Sequence, residues 1–353
     1  MTAARINLLE LSPDDARQAL FAALAALGQP SYRAEQVLRR LWINPAPDFA
    51  SMPELPAALR AALTERFDLP RLALAVRQAS TDGTEKFLFT LVDGQTIETV
   101  AIPDGDRMTF CISSQAGCAL ACAFCATGVM GFQRNLAVHE IAGQVRELAM
   151  LSTAVRATNI VFMGMGEPLK NWKAVSETLT ILNSPEGFGI GARHITVSTV
   201  GVLPGIIALG QRPEQFRLAI SIHAPNDTLR QELMPVNTKF PLAEVIEAAA
   251  AFDRRVTFEY VMLGGVNDTR VLALQLVSLA KACRAFVNLI PLHPGGGLGF
   301  IPTPRDGIHQ FANWIREAGV EVAIRRSRGL DISAACGQLR VEKIGRRREV
   351  AAP

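Results

Sequence analysis

The spacing of apolar residues changes twice along this chain, near residue 75 and near residue 105. Before residue 75, apolar side chains recur at helical intervals. After residue 105, short and almost fully apolar runs alternate with longer amphipathic segments. Such alternation is typical of parallel strands covered by helices. The pattern therefore predicts an α/β fold preceded by a small helical domain at residues 1–75.

The N-terminal part is predicted to contain three helices and then a β-hairpin. The first helix begins after a cap at Ser12 and stops at Gly28, and the second begins with a capping-box pattern at Ser31. A third helix runs roughly from residue 53 to residue 67. Residues 85–91 and 96–100 flank an Asp-Gly turn, which predicts a hairpin. We interpret residues 76–104 as a β-hairpin connector.

Residues 105–345 are predicted to form six strand–helix units. Six such units predict a partial (β/α)6 barrel, and a doubly wound open sheet is the alternative. In either architecture, ligands bind at the C-terminal ends of the strands. The predicted strands are Thr109–Ser114, Asn159–Gly164, His194–Val200, Phe216–His223, Val256–Leu263 and Phe286–Leu292.

Composition excludes several classes of protein. Hydrophobic residues make up 49% of the chain and charged residues 20%, which excludes a globally disordered chain. The formal net charge of +3 does not indicate a large polyanion-binding surface, so basic patches must be sought locally. The chain has no apolar run long enough for a membrane span and no apolar signal-peptide core. We expect a cytoplasmic monomer that contacts no membrane.

A cluster of three cysteines follows the first predicted barrel strand. Cys118, Cys122 and Cys125 form a C-x3-C-x2-C pattern. A structural zinc site prefers four protein ligands, and no fourth cysteine or histidine lies close by. The nearest histidine, His139, falls in a predicted helix. An iron–sulfur cluster with one open iron explains a count of three better.

This cysteine spacing resembles the signature of the radical S-adenosylmethionine enzymes, and Phe124 before the last cysteine also fits it. The resemblance implies a [4Fe–4S] cluster whose open iron binds the amine and carboxylate of S-adenosylmethionine. Electron transfer then cleaves this cofactor to a 5′-deoxyadenosyl radical.

Polar residues at three further strand ends are candidates for binding the cofactor. Gly166 and Glu167 lie in a segment that resembles the Gly-Glu-Pro motif of the superfamily, which meets the cofactor ammonium. Ser198 ends the third predicted strand. The tripeptide Ser221-Ile222-His223 ends the fourth. Alone, the Gly-Glu-Pro segment is as often a glycine-rich turn, and Ser198 or the Ser221 segment is more often an ordinary strand end. Together they indicate one pocket.

The complete set of motifs resembles one family, the dual-specificity RNA methyltransferase RlmN group with its relative Cfr. The resemblance covers residues 30–340 and implies methylation of adenine C2 in 23S rRNA, with tRNA as a further candidate substrate. This ring carbon is electron-poor and cannot attack a methyl sulfonium, so radical chemistry is needed. The matching segments are TFCISSQAGCALACAFCATG, IVFMGMGEPLKN, ITVSTVG, LAISIHAPND, VNLIPL and AACGQL.

The same resemblance assigns roles to three residues outside the cysteine cluster. Cys336 matches the cysteine that carries the methyl group as S-methylcysteine, and Cys111 matches the cysteine that resolves the protein–RNA adduct through a disulfide with it. Glu98 matches the proton acceptor. From its hairpin position alone, Glu98 is predicted to face solvent. Cys283 is predicted to be a core residue.

The resemblance also implies the reactants and partners. Two molecules of S-adenosylmethionine are used per turnover, and electrons come from a donor such as flavodoxin or ferredoxin. Contacts with RNA phosphates require basic side chains. The candidates are Arg33, Arg39 and Arg40 in the N-terminal domain and Arg325, Arg326, Arg328, Arg340 and Lys343 around Cys336.

The chain departs from the family pattern at a few positions near the expected substrate side. His293 stands where the family commonly has a cofactor-contacting Asn, and Leu330 stands where the family more often has an acidic residue. Three alternatives therefore remain open. One is a paralogue with another RNA target or adenine C8 specificity, the second is a radical enzyme of another reaction type, and the third is a zinc-stabilised RNA-binding protein.

Overall fold

The computed structural model describes residues 5–151, 156–293 and 299–334. Its strands are β1 (Ile6–Asn7), β2 (Phe67–Asp68), β3 (Ala73–Ala79), β4 (Glu85–Thr90), β5 (Thr96–Asp104), β6 (Arg107–Cys111), β7 (Gln115–Gly117), β8 (Phe132–Asn135), β9 (Asn159–Phe162), β10 (Ile195–Thr199), β11 (Arg217–Ser221), β12 (Val256–Met262), β13 (Phe286–Pro291) and β14 (Val322–Ile324). Its helices are α1 (Pro13–Ala26), α2 (Tyr32–Leu41), α3 (Ala57–Arg66), α4 (Ala126–Val129), α5 (Val138–Leu151), α6 (Trp172–Asn183), α7 (Leu203–Gly210), α8 (Asp227–Leu233), α9 (Leu242–Ala251), α10 (Arg270–Cys283) and α11 (Arg305–Glu317).

A ten-stranded sheet organises the chain. Strands β6, β9, β10, β11, β12, β13 and β14 lie side by side in sequence order and pair in parallel. A doubly wound sheet reverses its strand order at a switch point, whereas this sheet advances in one direction. The predicted partial barrel is therefore confirmed and the doubly wound alternative is wrong. A seventh parallel strand, β14, was not predicted because its three residues are too few to show a period.

The predicted hairpin is present as β4 and β5, and it belongs to the same sheet. Strand β5 pairs antiparallel with β6, and β3 extends the edge beyond β4. The boundary that we placed near residue 75 falls inside β3. The hairpin thus continues the barrel sheet, because the polar groups along its β5 edge pair with β6.

Helices cover the outer face of the sheet with their apolar sides. Strand β12 is buried on both faces, and Phe258, Tyr260 and Met262 have no solvent exposure. Helix α11 packs Phe311 over this region, with its ring 5.4 Å from that of Tyr260. Burial of this extent explains why the strands are apolar nearly throughout. Among the helices of the described ranges, none has both the length and the apolar composition of a membrane span.

The N-terminal helices form mostly as predicted. The Ser12 side chain accepts a hydrogen bond from the Asp15 amide and caps α1. The capping box predicted at Ser31 is wrong, since Ser31 already has helical φ and ψ angles and its side chain makes no capping bond. Helix α3 begins at Ala57, a few residues later than predicted, with Pro56 at its cap.

Two arginines attach the N-terminal helices and their linker to helix α5. Arg146 is completely buried, and its Nε donates to the Leu41 carbonyl at 3.0 Å while its Nη2 donates to the Ala46 carbonyl. Arg71 donates two hydrogen bonds of 2.6 Å to the buried Glu147 carboxylate. Burial lowers the pKa of Arg146 to about 10, so its guanidinium is still charged at neutral pH.

We expect Arg146→Met to destabilise this attachment. The substitution leaves the Leu41 and Ala46 carbonyls without their donor, which costs about 1–3 kcal/mol in the free energy of unfolding. Urea denaturation measures the change. Arg39→Met, at an exposed position of α2, is the matched control and should change the free energy of unfolding by less than about 0.5 kcal/mol. Equal losses in both variants would contradict the role given to Arg146.

Candidate active site

The three clustered cysteines lie on the loop between β7 and α4 and line one cavity of about 150 Å³. The loop is held by backbone hydrogen bonds, from the Cys118 amide to the Gly131 carbonyl at 2.9 Å and from the Cys125 amide to the Cys122 carbonyl at 3.1 Å. The cavity opens at the C-terminal ends of β9 to β13, where a barrel presents ligand-binding residues.

The chemistry of these thiols fits an iron–sulfur cluster. Burial raises the pKa of Cys118 to about 11, and burial together with the Cys125 and Cys118 thiols raises the pKa of Cys122. Such thiols ionise when a metal coordinates them. Within the described residues, no three His, Cys, Asp or Glu side chains are placed to hold one metal ion. In a [4Fe–4S] cluster each thiolate binds a different iron, and three thiols that line one cavity, two of them buried, suit that arrangement.

Glu167 is fixed in the wall of the same cavity. Its carboxylate accepts hydrogen bonds from the Leu169 amide at 3.0 Å and from the Val200 amide at 2.9 Å. Burial raises its pKa to about 7 despite these donors. Gly166, beside it, has φ +98°, and an added Cβ would come within 2.5 Å of the Gln115 Cβ. The close approach of these segments therefore requires glycine.

His223 contributes a neutral imidazole to the same cavity. Its Nδ1 accepts a hydrogen bond from the Val261 amide at 3.0 Å, which leaves Nε2 as the protonated nitrogen. Burial lowers its pKa to about 3, so the ring is uncharged at neutral pH. The edge of its ring packs against Phe124, with the ring centres 4.7 Å apart.

The structure brings most of the predicted cofactor-binding residues together. Gly166, Glu167, Ser198, Ser221 and His223 all line the cysteine cavity. Two predicted residues stand apart from its described wall. The side chain of Ile222 is buried in the core, and the Ile222 amide donates to the Glu259 carbonyl. His293 is half-buried, with its Nε2 2.9 Å from the Leu330 carbonyl oxygen.

Sequence reasoning missed Glu259, which lines this cavity from β12. Its carboxylate accepts a hydrogen bond from Asn288 Nδ2 at 2.8 Å, and burial raises its pKa while the charge of Arg325 lowers it. A single acidic residue inside the apolar run VTFEYVM was the available signal, because unpaired carboxylates are rarely buried.

A second, basic cavity adjoins the first. It has a volume of about 420 Å³, and Met163 and Ile290 line both cavities. Cys111 at the end of β6 forms part of its wall. Arg325 Nη1 lies 3.9 Å from the sulfur of Met163, a residue that lines both cavities. The basic wall is formed by Arg107, Arg325, Arg326 and Arg328, with Asp104 as the one acidic residue among the described lining residues.

Glu98 is buried, and the prediction from its hairpin position that it faces solvent is wrong. It is 3% exposed in β5, and its Oε1 lies 3.4 Å from Lys86 Nζ, which is also buried. The continuation of the hairpin into the barrel sheet covers this side chain. Glu98 is not among the described residues that line either cavity.

The remaining cysteines have different surroundings. Cys283 is a buried core residue at the end of α10, as predicted, and its Sγ donates to the Ile246 carbonyl. Cys336, like Arg340 and Lys343, lies outside the described residues. The disulfide implied for Cys111 is not supported, since none joins any two cysteines of the described ranges.

The N-terminal arginines proposed for RNA binding are mostly engaged within their own domain. Arg33 Nη1 donates to the Glu54 carbonyl at 2.8 Å, and Arg40 Nε lies 3.5 Å from the Glu54 carboxylate. Arg39 is exposed. The strongest basic concentration near the cysteines is therefore the wall of the second cavity.

Comparisons with known proteins show which family the chain belongs to. The Radical SAM superfamily profile matches residues 112–276, and the profile for the ribosomal RNA large subunit methyltransferase N-terminal domain matches residues 6–69. The chain is 68% identical over 346 residues to a probable dual-specificity RNA methyltransferase RlmN of Gemmatimonas aurantiaca, across 98% of this chain and 96% of that relative.

More distant relatives are similar over nearly the same length. The dual-specificity RNA methyltransferase RlmN of Anaeromyxobacter dehalogenans is 42% identical over 337 residues, across 92% of this chain and 90% of its own. The crystal structure of a radical SAM methyltransferase from Sphaerobacter thermophilus superposes with a TM-score of 0.89 at 44% identity, across 96% of this chain and 100% of that chain.

Proposed function

Since this chain belongs to the dual-specificity RNA methyltransferase RlmN family of radical S-adenosylmethionine enzymes, we propose that it methylates C2 of an adenine in 23S rRNA, and also in tRNA. One observation carries the proposal. The cavity that bears the three cysteines adjoins a larger basic cavity that bears Cys111 and four arginines, and Met163 and Ile290 line both. A cofactor in the first would lie next to an RNA nucleotide in the second.

The cysteine cavity is proposed to hold the cofactors. Cys118, Cys122 and Cys125 would bind a [4Fe–4S] cluster, and the fixed carboxylate of Glu167 would accept hydrogen bonds from the amine of S-adenosylmethionine. When bound, these cofactors would supply the radical chemistry that methylation of an electron-poor ring carbon requires. Ser198, Ser221 and His223 would complete the pocket, and the uncharged His223 adds no repulsion toward the sulfonium.

The basic cavity is proposed to receive the target nucleotide. Its arginines would neutralise phosphate, and its volume of about 420 Å³ would accommodate a base that has left the helical stack. Cys111 would release the RNA from the covalent adduct, and Cys336 would carry the methyl group. Ala334, which precedes Cys336 by two residues in the sequence, lines this cavity. Glu98 would accept the proton from the ring carbon, after movement from its buried contact with Lys86.

The remaining proposals concern turnover. Two molecules of S-adenosylmethionine are proposed per cycle, one to methylate Cys336 and one to generate the radical. A flavodoxin or ferredoxin would supply the electron, and the enzyme would act as a cytoplasmic monomer.

The function is tested by anaerobic incubation of the iron-loaded protein with methyl-labelled S-adenosylmethionine and fragments of 23S rRNA or tRNA. Nucleoside analysis should find the label in 2-methyladenosine, and Cys336→Ala should incorporate none. Label in 8-methyladenosine would show the alternative specificity. An iron-containing protein that transfers no label to either RNA would contradict the proposal.

We expect Cys111→Ala to accumulate a covalent protein–RNA adduct. Without the Cys111 thiol the adduct lacks the group proposed to release it, so it should persist on a denaturing gel with labelled RNA. The double variant Cys111→Ala/Cys336→Ala is the control and should form no adduct. Normal methylation by Cys111→Ala would remove the role given to this residue.

A further inference from the structure

Arg230 is a completely buried cation behind the cysteine cavity. It lies on α8 and donates from Nη1 to Asn237 Oδ1 and to the Phe240 carbonyl at 3.2 Å, and from Nη2 to the Val200 carbonyl at 2.5 Å. Burial lowers its pKa to about 10, so the guanidinium is charged at neutral pH. Its Nε has no hydrogen-bond partner among residues 5–151, 156–293 and 299–334.

Two contacts connect helix α8, which carries Arg230, to the cysteine cavity. The Ala123 amide, next to Cys122, donates to the Leu233 carbonyl of α8 at 2.9 Å. Val200, whose carbonyl accepts from Arg230, is itself a wall residue of the cysteine cavity.

The cavity is lined by acidic groups and by no basic side chain among the described residues. Glu167 and Glu259 line it together with the three cysteines, and its described wall contains no lysine or arginine. Three thiolates outweigh the two positive charges of an oxidised [4Fe–4S] core, and reduction adds one more negative charge. A buried cation next to this wall therefore favours the reduced state, since charges near a cluster set its reduction potential.

We propose that Arg230 is a positioning residue that holds the Cys122 loop and raises the reduction potential of the cluster. This inference rests on the proposed function only in that Cys118, Cys122 and Cys125 bind a cluster.

The first test is a redox titration of the iron-loaded protein, without S-adenosylmethionine or RNA, followed by electron paramagnetic resonance of the reduced cluster. Arg230→Met should lower the ratio of reduced to oxidised cluster at a fixed potential about tenfold, which is about 59 mV for a one-electron couple. Arg230→Lys, which keeps the charge, should stay within about twofold of the wild type.

Arg146→Met is the matched control for the loss of a buried guanidinium. Arg146 is equally buried and also donates to backbone carbonyls, but it attaches the N-terminal helices to α5. Its substitution should lower stability and leave the cluster potential unchanged. An equal shift in Arg146→Met would assign the effect to destabilisation and overturn the proposal.

A charge swap tests Arg230 while leaving it in place. Asn237 Nδ2 donates to Asp227 Oδ1 at 2.9 Å, and the Leu242 amide donates to the same oxygen. The double variant Asp227→Asn/Asn237→Asp preserves net charge and keeps an oxygen at position 227 that can accept from the Leu242 amide. It moves the carboxylate directly against the Arg230 guanidinium, so the reduction potential should fall as in Arg230→Met.

The outcomes separate this inference from the proposed function. Unchanged potentials in iron-loaded Arg230→Met and in the swap variant would overturn the inference, as would a potential of Arg230→Lys as low as that of Arg230→Met. If Arg230→Met loads no iron, the reduction potential of the swap variant decides alone, and an unchanged potential in that variant would overturn the inference. An iron-free wild-type protein would instead contradict the proposed function itself.

Discussion

Cys122→Ala should yield a folded protein without an iron–sulfur cluster and without methyltransferase activity. A [4Fe–4S] core held by three thiolates loses one of its iron–protein bonds, and the methyl group of alanine offers no ligand. Iron content and visible absorption after anaerobic reconstitution measure the loss. Methylation of RNA should fall to the background, because every later step depends on reductive cleavage at the cluster.

Cys283→Ala is the matched control for this substitution. Cys283 is also buried, and burial raises its pKa to about 11, but it lies in α10 and contacts the Ile246 carbonyl. It should keep full iron content and activity. A Cys122→Ala protein that retains a complete cluster would show that the cysteine cavity is not the cluster site.

Gly117→Ala should abolish cluster loading although Gly117 offers no ligand. Gly117 has φ +76°, and an added Cβ would lie 1.9 Å from the Gly131 carbonyl oxygen. That same oxygen accepts the Cys118 amide hydrogen bond, so relief of the clash displaces the first cysteine. We expect the free energy of unfolding to fall by about 3 kcal/mol, and iron content after reconstitution to be lost.

Gly94→Ala separates the clash from backbone strain. Gly94, in the turn between β4 and β5, has φ +80° with open space around its Cα. An alanine there must adopt the left-handed conformation, which lowers the free energy of unfolding by about 1–2 kcal/mol. The Gly94→Ala protein should load iron normally. Equal iron content in Gly117→Ala and wild type would mean that the β7–β8 ribbon does not position Cys118.

Local features of the sequence predicted much of the fold and of the lining of the cysteine cavity. The six predicted barrel strands are present with ends shifted by at most a few residues, because each is an apolar run too short for a helix. The cysteine loop and the strand-end residues Glu167, Ser198, Ser221 and His223 meet in one cavity, since parallel strands bring their C-terminal ends to the same side.

Other features were decided by contacts between distant segments. A hairpin position predicted an exposed Glu98, but the pairing of β5 with β6 buries it. Arginine is usually exposed in a helix of a globular protein. Arg230 is buried only because α8 packs against the loop that carries the cysteines. The basic cavity likewise joins Arg107 to arginines more than two hundred residues later.

The sequence by itself determined the strand–helix order, the cysteine spacing and the family, because these depend on residue types at short, fixed separations. Only the tertiary structure decided that the cysteine cavity and the basic cavity adjoin, and that a guanidinium is buried behind Cys122. The physical reason is that a side chain's charge, pKa and exposure depend on which neighbours exclude water from it, and those neighbours come from remote parts of the chain.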